Sequence, residues 1–132
     1  MTVVIAHSIR KKEFRRGEIP REDLETILGG YAKGIGVPIK GEALPKGSRL
    51  VKLYVTTVGG ARRIVFLVDV ESGTGFLLFY RGKNDAIGEN ITIKNPAFRK
   101  RLLQYLDLLQ ADIAEGKLTS YRDISLLPGN NN

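Results

Sequence analysis

Cysteine and tryptophan are absent from this 132-residue chain, and His7 is its only histidine. Without cysteine the chain forms no disulfides and offers no thiolate chemistry. One histidine also excludes a metal site built from several imidazoles, so we expect neither a metal nor a cofactor. No apolar run is long enough to cross a bilayer, and the N-terminus lacks the flanks of a signal peptide. We therefore expect a cytoplasmic protein with no membrane partner.

Acidic residues are also few: 14 Asp and Glu stand against 21 Lys and Arg, which gives a net charge of +7 and a pI near 9.8. This excess of positive charge favours an anionic partner, which could be nucleic acid, an acidic protein or a membrane surface. Familiar enzyme motifs are missing. There is no Walker motif, and Gly34-Ile35-Gly36 does not follow a predicted strand as a dinucleotide fingerprint requires.

The most apolar part of the chain predicts three consecutive strands. These are Leu50–Val55, Arg62–Val68 and Phe76–Arg81. Short breaks that contain glycine separate them, as in an antiparallel meander. A β-branched run at Thr2–Ala6 predicts one more strand at the start of the chain, and Leu118–Leu127 is either a strand or a docked tail.

Two helices with apolar stripes complete the predicted fold. The first has Pro20 at its first helical position and ends by Gly34; the second has Asn95 as N-cap and Gly116 as C-cap. The basic cluster Arg10–Arg16 is predicted to be a solvated helical turn or loop. This order of elements predicts an α+β fold with an antiparallel four-stranded sheet and helices packed on one face.

One domain is expected over residues 1–127, followed by a disordered tail at residues 128–132. The strand and helix periodicities converge on a single apolar core. We predict that this core contains Val51, Leu53, Ile64, Phe66, Leu78, Leu102, Leu106 and Leu109.

Cations lie within or beside the predicted strands. They are Lys52, Arg62, Arg63, Arg81 and Lys83. Strand residues of this kind must reach either water or an anion, and side chains on one face of neighbouring strands can converge on the same anion. Such a set can bind phosphate and stabilise charge that develops in phosphoryl transfer. The alternative is that each is a strand-end residue facing solvent.

Three segments of the chain resemble the RelE/ParE superfamily of bacterial type II toxins. Gly47–Val55 contains a lysine-bearing strand, Gly59–Val68 begins with the pattern Gly-Gly-x-Arg that leads into the next strand, and Leu77–Asn84 ends in a basic turn. The resemblance implies a microbial-RNase-like RelE fold and a metal-independent endoribonuclease that acts on mRNA in the ribosomal A site. It also implies a cognate antitoxin that covers the basic face.

By position, the resemblance implies three catalytic cations: Lys52, Arg62 and Lys83. Lys52 and Arg62 would stabilise the phosphorane and Lys83 would assist proton transfer, with all three on one face of the sheet. Arg63 would replace Arg62 if the register were shifted by one residue. The residues expected to contact RNA or phosphate are Arg63, Arg81, Tyr54 and Tyr80.

Two departures from the family pattern leave other functions open. Some family nucleases carry a tyrosine or histidine just after the last basic turn, and residues 85–91 contain neither. The superfamily also includes gyrase inhibitors on the same scaffold. The first hypothesis is therefore a ribosome-dependent mRNA endonuclease toxin that inhibits translation. The alternatives are a ParE-like inhibitor of DNA gyrase and a non-toxic RNA-binding accessory protein.

Overall fold

The computed structural model describes residues 2–34 and 36–122. The predicted tail at residues 128–132 lies outside this part of the chain. The strands are β1 (Thr2–Ala6), β2 (Val37–Ile39), β3 (Ser48–Thr57), β4 (Gly60–Asp69), β5 (Gly75–Gly82) and β6 (Leu118–Arg122). The helices are α1 (His7–Glu13), α2 (Arg21–Ala32) and α3 (Pro96–Glu115), with a 3-10 turn at Arg15–Gly17. No helix in the described residues is long and apolar enough to span a membrane.

The strands form one mixed sheet of six strands in the order β2-β3-β4-β5-β1-β6. Strands β1 and β5 run parallel, with Val3 opposite Gly75, and the other neighbours are antiparallel. The class is α+β as predicted, but the predicted antiparallel four-stranded sheet of a RelE-like fold is wrong. Short hairpin loops make β3, β4 and β5 antiparallel to one another. The long connection after β1 does not fix the direction of β1 relative to them.

Helices cover both faces of the sheet, so the prediction of helices on one face is also wrong. Leu50, Val65 and Phe79 belong to a buried cluster with α1 and α3. Leu53 and Phe66 project from the opposite face into a cluster with α2. We call these the α3 face and the α2 face. Strands β4 and β5 are apolar on both sides, which requires cover on both faces.

Most of the predicted core residues are buried, but they lie in two clusters on opposite faces of the sheet, so the prediction of a single core is wrong. The buried members are Leu53, Ile64, Phe66, Leu78, Leu102, Leu106 and Leu109. Val51 is only half-buried. It lies opposite Pro38 of the short edge strand β2, where the sheet ends and cover on its side is thin.

Helix α3 begins and ends at the predicted residues. The Asn95 side chain accepts a hydrogen bond from the Ala97 backbone N–H at 3.1 Å, and Gly116 ends the helix with a φ of 70° that suits glycine. The Tyr105 ring lies 4.9 Å from the Phe79 ring on the sheet. This contact fixes which side of α3 faces the sheet.

Helix α1 overlaps the basic cluster Arg10–Arg16, for which a solvated helical turn or loop was predicted. Ile9 is fully buried, and Asp112 of α3 accepts hydrogen bonds from the Ser8 backbone N–H at 2.7 Å and hydroxyl at 2.9 Å. These bonds satisfy donors at the start of α1 that would otherwise lack partners. The helix is therefore anchored to α3 and brings Glu13 to the end of β5.

Candidate functional site

The register of the sheet divides the predicted cations between its two faces. Arg63 lies opposite Tyr54 of β3 and opposite Arg81 of β5. Lys52 is two residues from Tyr54, so these four side chains share the α3 face. Arg62 immediately precedes Arg63 in β4 and therefore projects from the opposite face, the α2 face. The prediction that Lys52 and Arg62 share a face is therefore wrong, and Arg63 is the arginine that accompanies Lys52.

Tyr54 is an exposed aromatic ring beside two cations. It is 53% exposed, with the Arg63 Cζ atom 4.1 Å and the Lys52 Nζ atom 5.3 Å from its ring centroid. Both contacts are within the range of cation–π attraction. Proteins that bind single-stranded nucleic acids use exposed aromatic rings beside cations, because the ring stacks on a base while the cations contact the backbone. We call Lys52, Tyr54 and Arg63 the Tyr54 site.

Arg81 is on the same face but is held by carboxylates. Its guanidinium donates to Glu13, with Nε at 2.9 Å and Nη2 at 2.6 Å, and Asp85 lies 3.3 Å from Nη1. Burial acts to lower the pKa of Arg81, but the adjacent Glu13 carboxylate, together with Asp85 and Tyr105, raises the pKa above its ordinary value. Two acidic groups therefore offset the charge that was expected to meet phosphate.

Glu13 is the centre of a buried network that sequence reasoning missed. Its side chain is fully buried, and it also accepts hydrogen bonds from the Tyr80 backbone N–H at 2.8 Å and the Tyr105 hydroxyl. Burial and the bond to Glu13 raise the pKa of Tyr105. The network joins α1, β5 and α3. The available signal was a lone acid next to Phe14 within a run of bases.

Tyr80 and Arg62 lie together on the α2 face. Tyr80 is only 8% exposed, and its hydroxyl donates to Asp23 at 2.7 Å. Burial, followed by this bond, raises the pKa of Tyr80. Arg62 donates to the carbonyl oxygens of Gly59 and Ala61, both at 3.3 Å. Arg62, Tyr80 and Asp23 line a cleft of about 420 Å³, which is separated from the Tyr54 site by the sheet.

Lys83 lies in the exposed turn after β5. The structure therefore brings Lys52, Tyr54 and Arg63 together, but it does not place Lys83 on a strand with them. In residues 2–34 and 36–122, no three His, Asp or Glu side chains are grouped so that they could hold a metal ion.

Comparisons with known proteins add no family assignment. No protein-family model, curated protein or solved structure matches this chain. The resemblance to RelE/ParE toxins therefore depends on the three quoted segments alone, and function is inferred here from side-chain geometry.

Proposed function

We propose that the protein is the toxin of a type II toxin–antitoxin system, a cytoplasmic, ribosome-dependent mRNA endonuclease that inhibits translation. The observation that carries this proposal is the Tyr54 site, an exposed ring with Arg63 at 4.1 Å and Lys52 at 5.3 Å. The resemblance in Gly59–Val68 and Leu77–Asn84 supplies the choice of mRNA on the ribosome as the target.

The Tyr54 site would hold RNA by two kinds of contact. A base would stack on the exposed part of the Tyr54 ring, a contact that tolerates any base because every base has a π-face. Lys52 and Arg63 would donate charge-assisted hydrogen bonds to the neighbouring phosphate. Arg63 would thus take the role that the resemblance implied for Arg62.

Cleavage would use the 2′-hydroxyl of the RNA as nucleophile. The 2′-oxygen attacks the adjacent phosphorus and loses its proton to water. The bond from phosphorus to the 5′-oxygen breaks, and that oxygen takes up a proton, which leaves a 2′,3′-cyclic phosphate and a 5′-hydroxyl. Lys52 and Arg63 would stabilise the added negative charge of the phosphorane. Lys83, in its exposed turn, is the residue proposed to donate the proton to the 5′-oxygen.

A cognate antitoxin would neutralise the protein by covering the Tyr54 site. The chain carries a net charge of +7, and an acidic segment of the partner would compete with RNA phosphates for Lys52 and Arg63. Binding of the antitoxin and binding of RNA are then mutually exclusive.

Replacing Lys52 by alanine should slow single-turnover cleavage of ribosome-bound mRNA by about 10²–10³-fold, comparable to removal of one preorganised donor to a developing charge. Lys52 is not part of the core, so the thermal melting curve should be unchanged. Lys46→Ala is the matched control, because it removes the same charge from an exposed residue away from the site.

The same assay separates the alternatives. Cleavage by Lys52→Ala at the wild-type rate would move the active site elsewhere. A wild-type protein that leaves mRNA intact but inhibits gyrase would be a ParE-like toxin. A wild-type protein that binds RNA without cleavage or toxicity would be an accessory RNA-binding protein.

A further inference from the structure

We infer that the RNA site continues from the sheet onto α3, where Arg101 contacts the backbone, and that its ligand is a single RNA strand rather than a duplex. This inference rests on the proposed function of the Tyr54 site. It adds a residue and a helix that neither the sequence motifs nor the resemblance assign to RNA.

A row of residues leads from the Tyr54 site to Arg101, with a side-chain contact at each step except between Arg63 and Arg81, which are neighbours in the register of the sheet. The Arg101 Cζ atom lies 5.8 Å from the Tyr105 ring centroid, and the Tyr105 hydroxyl lies 3.5 Å from Nη2 of Arg81. Arg81 is directly opposite Arg63 in the sheet, and Arg63 lies over Tyr54. The row crosses three strands and reaches α3 on one side of the molecule.

Charge along this row is concentrated at its two ends. Arg81, in the middle, is paired with both Glu13 and Asp85. Within residues 2–34 and 36–122, the ion pairs of the protein include neither Arg63 nor Arg101. An RNA strand that stacks a base on Tyr54 at one end of the row can therefore place a backbone phosphate against Arg101 at the other end. Glu13, which pairs with Arg81, accepts the hydrogen bond from the Tyr105 hydroxyl, and the Tyr105 ring supports Arg101.

The Tyr54 ring selects a single strand. A base can stack on a side chain only when it is free of the helical stack, which is why aromatic platforms recognise unpaired nucleotides. Neighbouring strands lie about 4.8 Å apart. Strands β3 and β5, with β4 between them, are therefore separated by about 10 Å. The site is therefore longer than one nucleotide, and Arg101 extends it further.

Arg99 provides a matched control for Arg101. It lies two residues earlier on α3, and residues two apart do not share a helix face. Its guanidinium lies 2.9 Å from Glu42, which is not part of the row from the Tyr54 site to Arg101. Alanine at either position removes one positive charge, so a difference between the two variants reports position rather than net charge.

The test is a fluorescence-anisotropy titration of the full chain with a labelled single-stranded RNA of about 12 nucleotides, repeated at several salt concentrations. Arg101→Ala should reduce the slope of log affinity against log salt by about 0.7, the contribution of one phosphate contact on a single strand. Arg101→Gln, which keeps most of the apolar stem, should give the same change. Arg99→Ala should leave the slope as in the wild type.

A second arm compares a blunt duplex of the same sequence. We expect the duplex to bind more weakly, and we expect Tyr54→Ala to weaken the single strand by roughly 5- to 150-fold without affecting the duplex. If the slope of log affinity against log salt were equal in Arg101→Ala, Arg101→Gln and Arg99→Ala, the role of Arg101 would be overturned while the Tyr54 site would be left intact. A duplex that binds as tightly as the single strand would overturn the proposed selectivity. A wild-type protein that binds neither RNA free in solution would overturn the extended RNA site, whereas the proposed function itself fails only if ribosome-bound mRNA is not cleaved.

Discussion

Replacing Glu13 by alanine should lower the free energy of unfolding by about 3–5 kcal/mol, the usual cost of removing one partner of a buried ion pair. The Glu13 side chain is fully buried and accepts hydrogen bonds from Arg81, Tyr105 and the Tyr80 backbone. Its removal leaves a largely buried guanidinium without its nearest carboxylate and leaves two further donors without an acceptor.

Urea unfolding of Glu13→Ala and wild type measures this effect. Glu89→Ala is the control, because Glu89 is exposed and a surface substitution is expected to change stability by less than about 0.5 kcal/mol. A loss below about 1 kcal/mol for Glu13→Ala would show that the network does not hold α1, β5 and α3 together.

Phe66→Ala should lower the free energy of unfolding by about 3–5 kcal/mol, because the variant loses the transfer free energy of a large buried ring and retains a cavity in its place. Phe66 is fully buried on the α2 face, and its ring lies 4.7 Å from the Tyr31 ring. This contact connects α2 to the middle of the sheet. The loss should therefore appear in the unfolding of the whole domain.

Thermal and urea melts of Phe66→Ala check this value. Val58→Ala is a suitable control, since Val58 is fully exposed at the tip of the hairpin between β3 and β4. A change below about 1 kcal/mol for Phe66→Ala would contradict its place in the core.

Local patterns predicted β1, β3, β4, β5, α2 and α3, but not the edge strand β2 or the pairing of distant strands. Alternation and glycine breaks locate β3, β4 and β5, and the caps Asn95 and Gly116 locate α3. The parallel pairing of β1 with β5 and the anchoring of α1 by Asp112 depend on residues far apart in sequence. No periodicity within either segment carries that information.

The choice between Arg62 and Arg63 depended on the length of one turn. The sequence alone left a five-residue break from Thr56 to Gly60, and such a break is compatible with more than one register. In the structure Thr57 lies opposite Gly60, so the turn consists of Val58 and Gly59 only. A two-residue turn fixes the register and places Arg63 beside Tyr54.

The account is tested most directly by comparing Arg63→Ala with Arg62→Ala in single-turnover cleavage of ribosome-bound mRNA. The two arginines are adjacent in sequence and carry the same charge, but they project from opposite faces of β4. We predict that Arg63→Ala slows cleavage by about 10²–10³-fold and that Arg62→Ala cleaves at nearly the wild-type rate. An equal or greater loss of cleavage rate in Arg62→Ala would contradict the assignment of the RNA site to the α3 face.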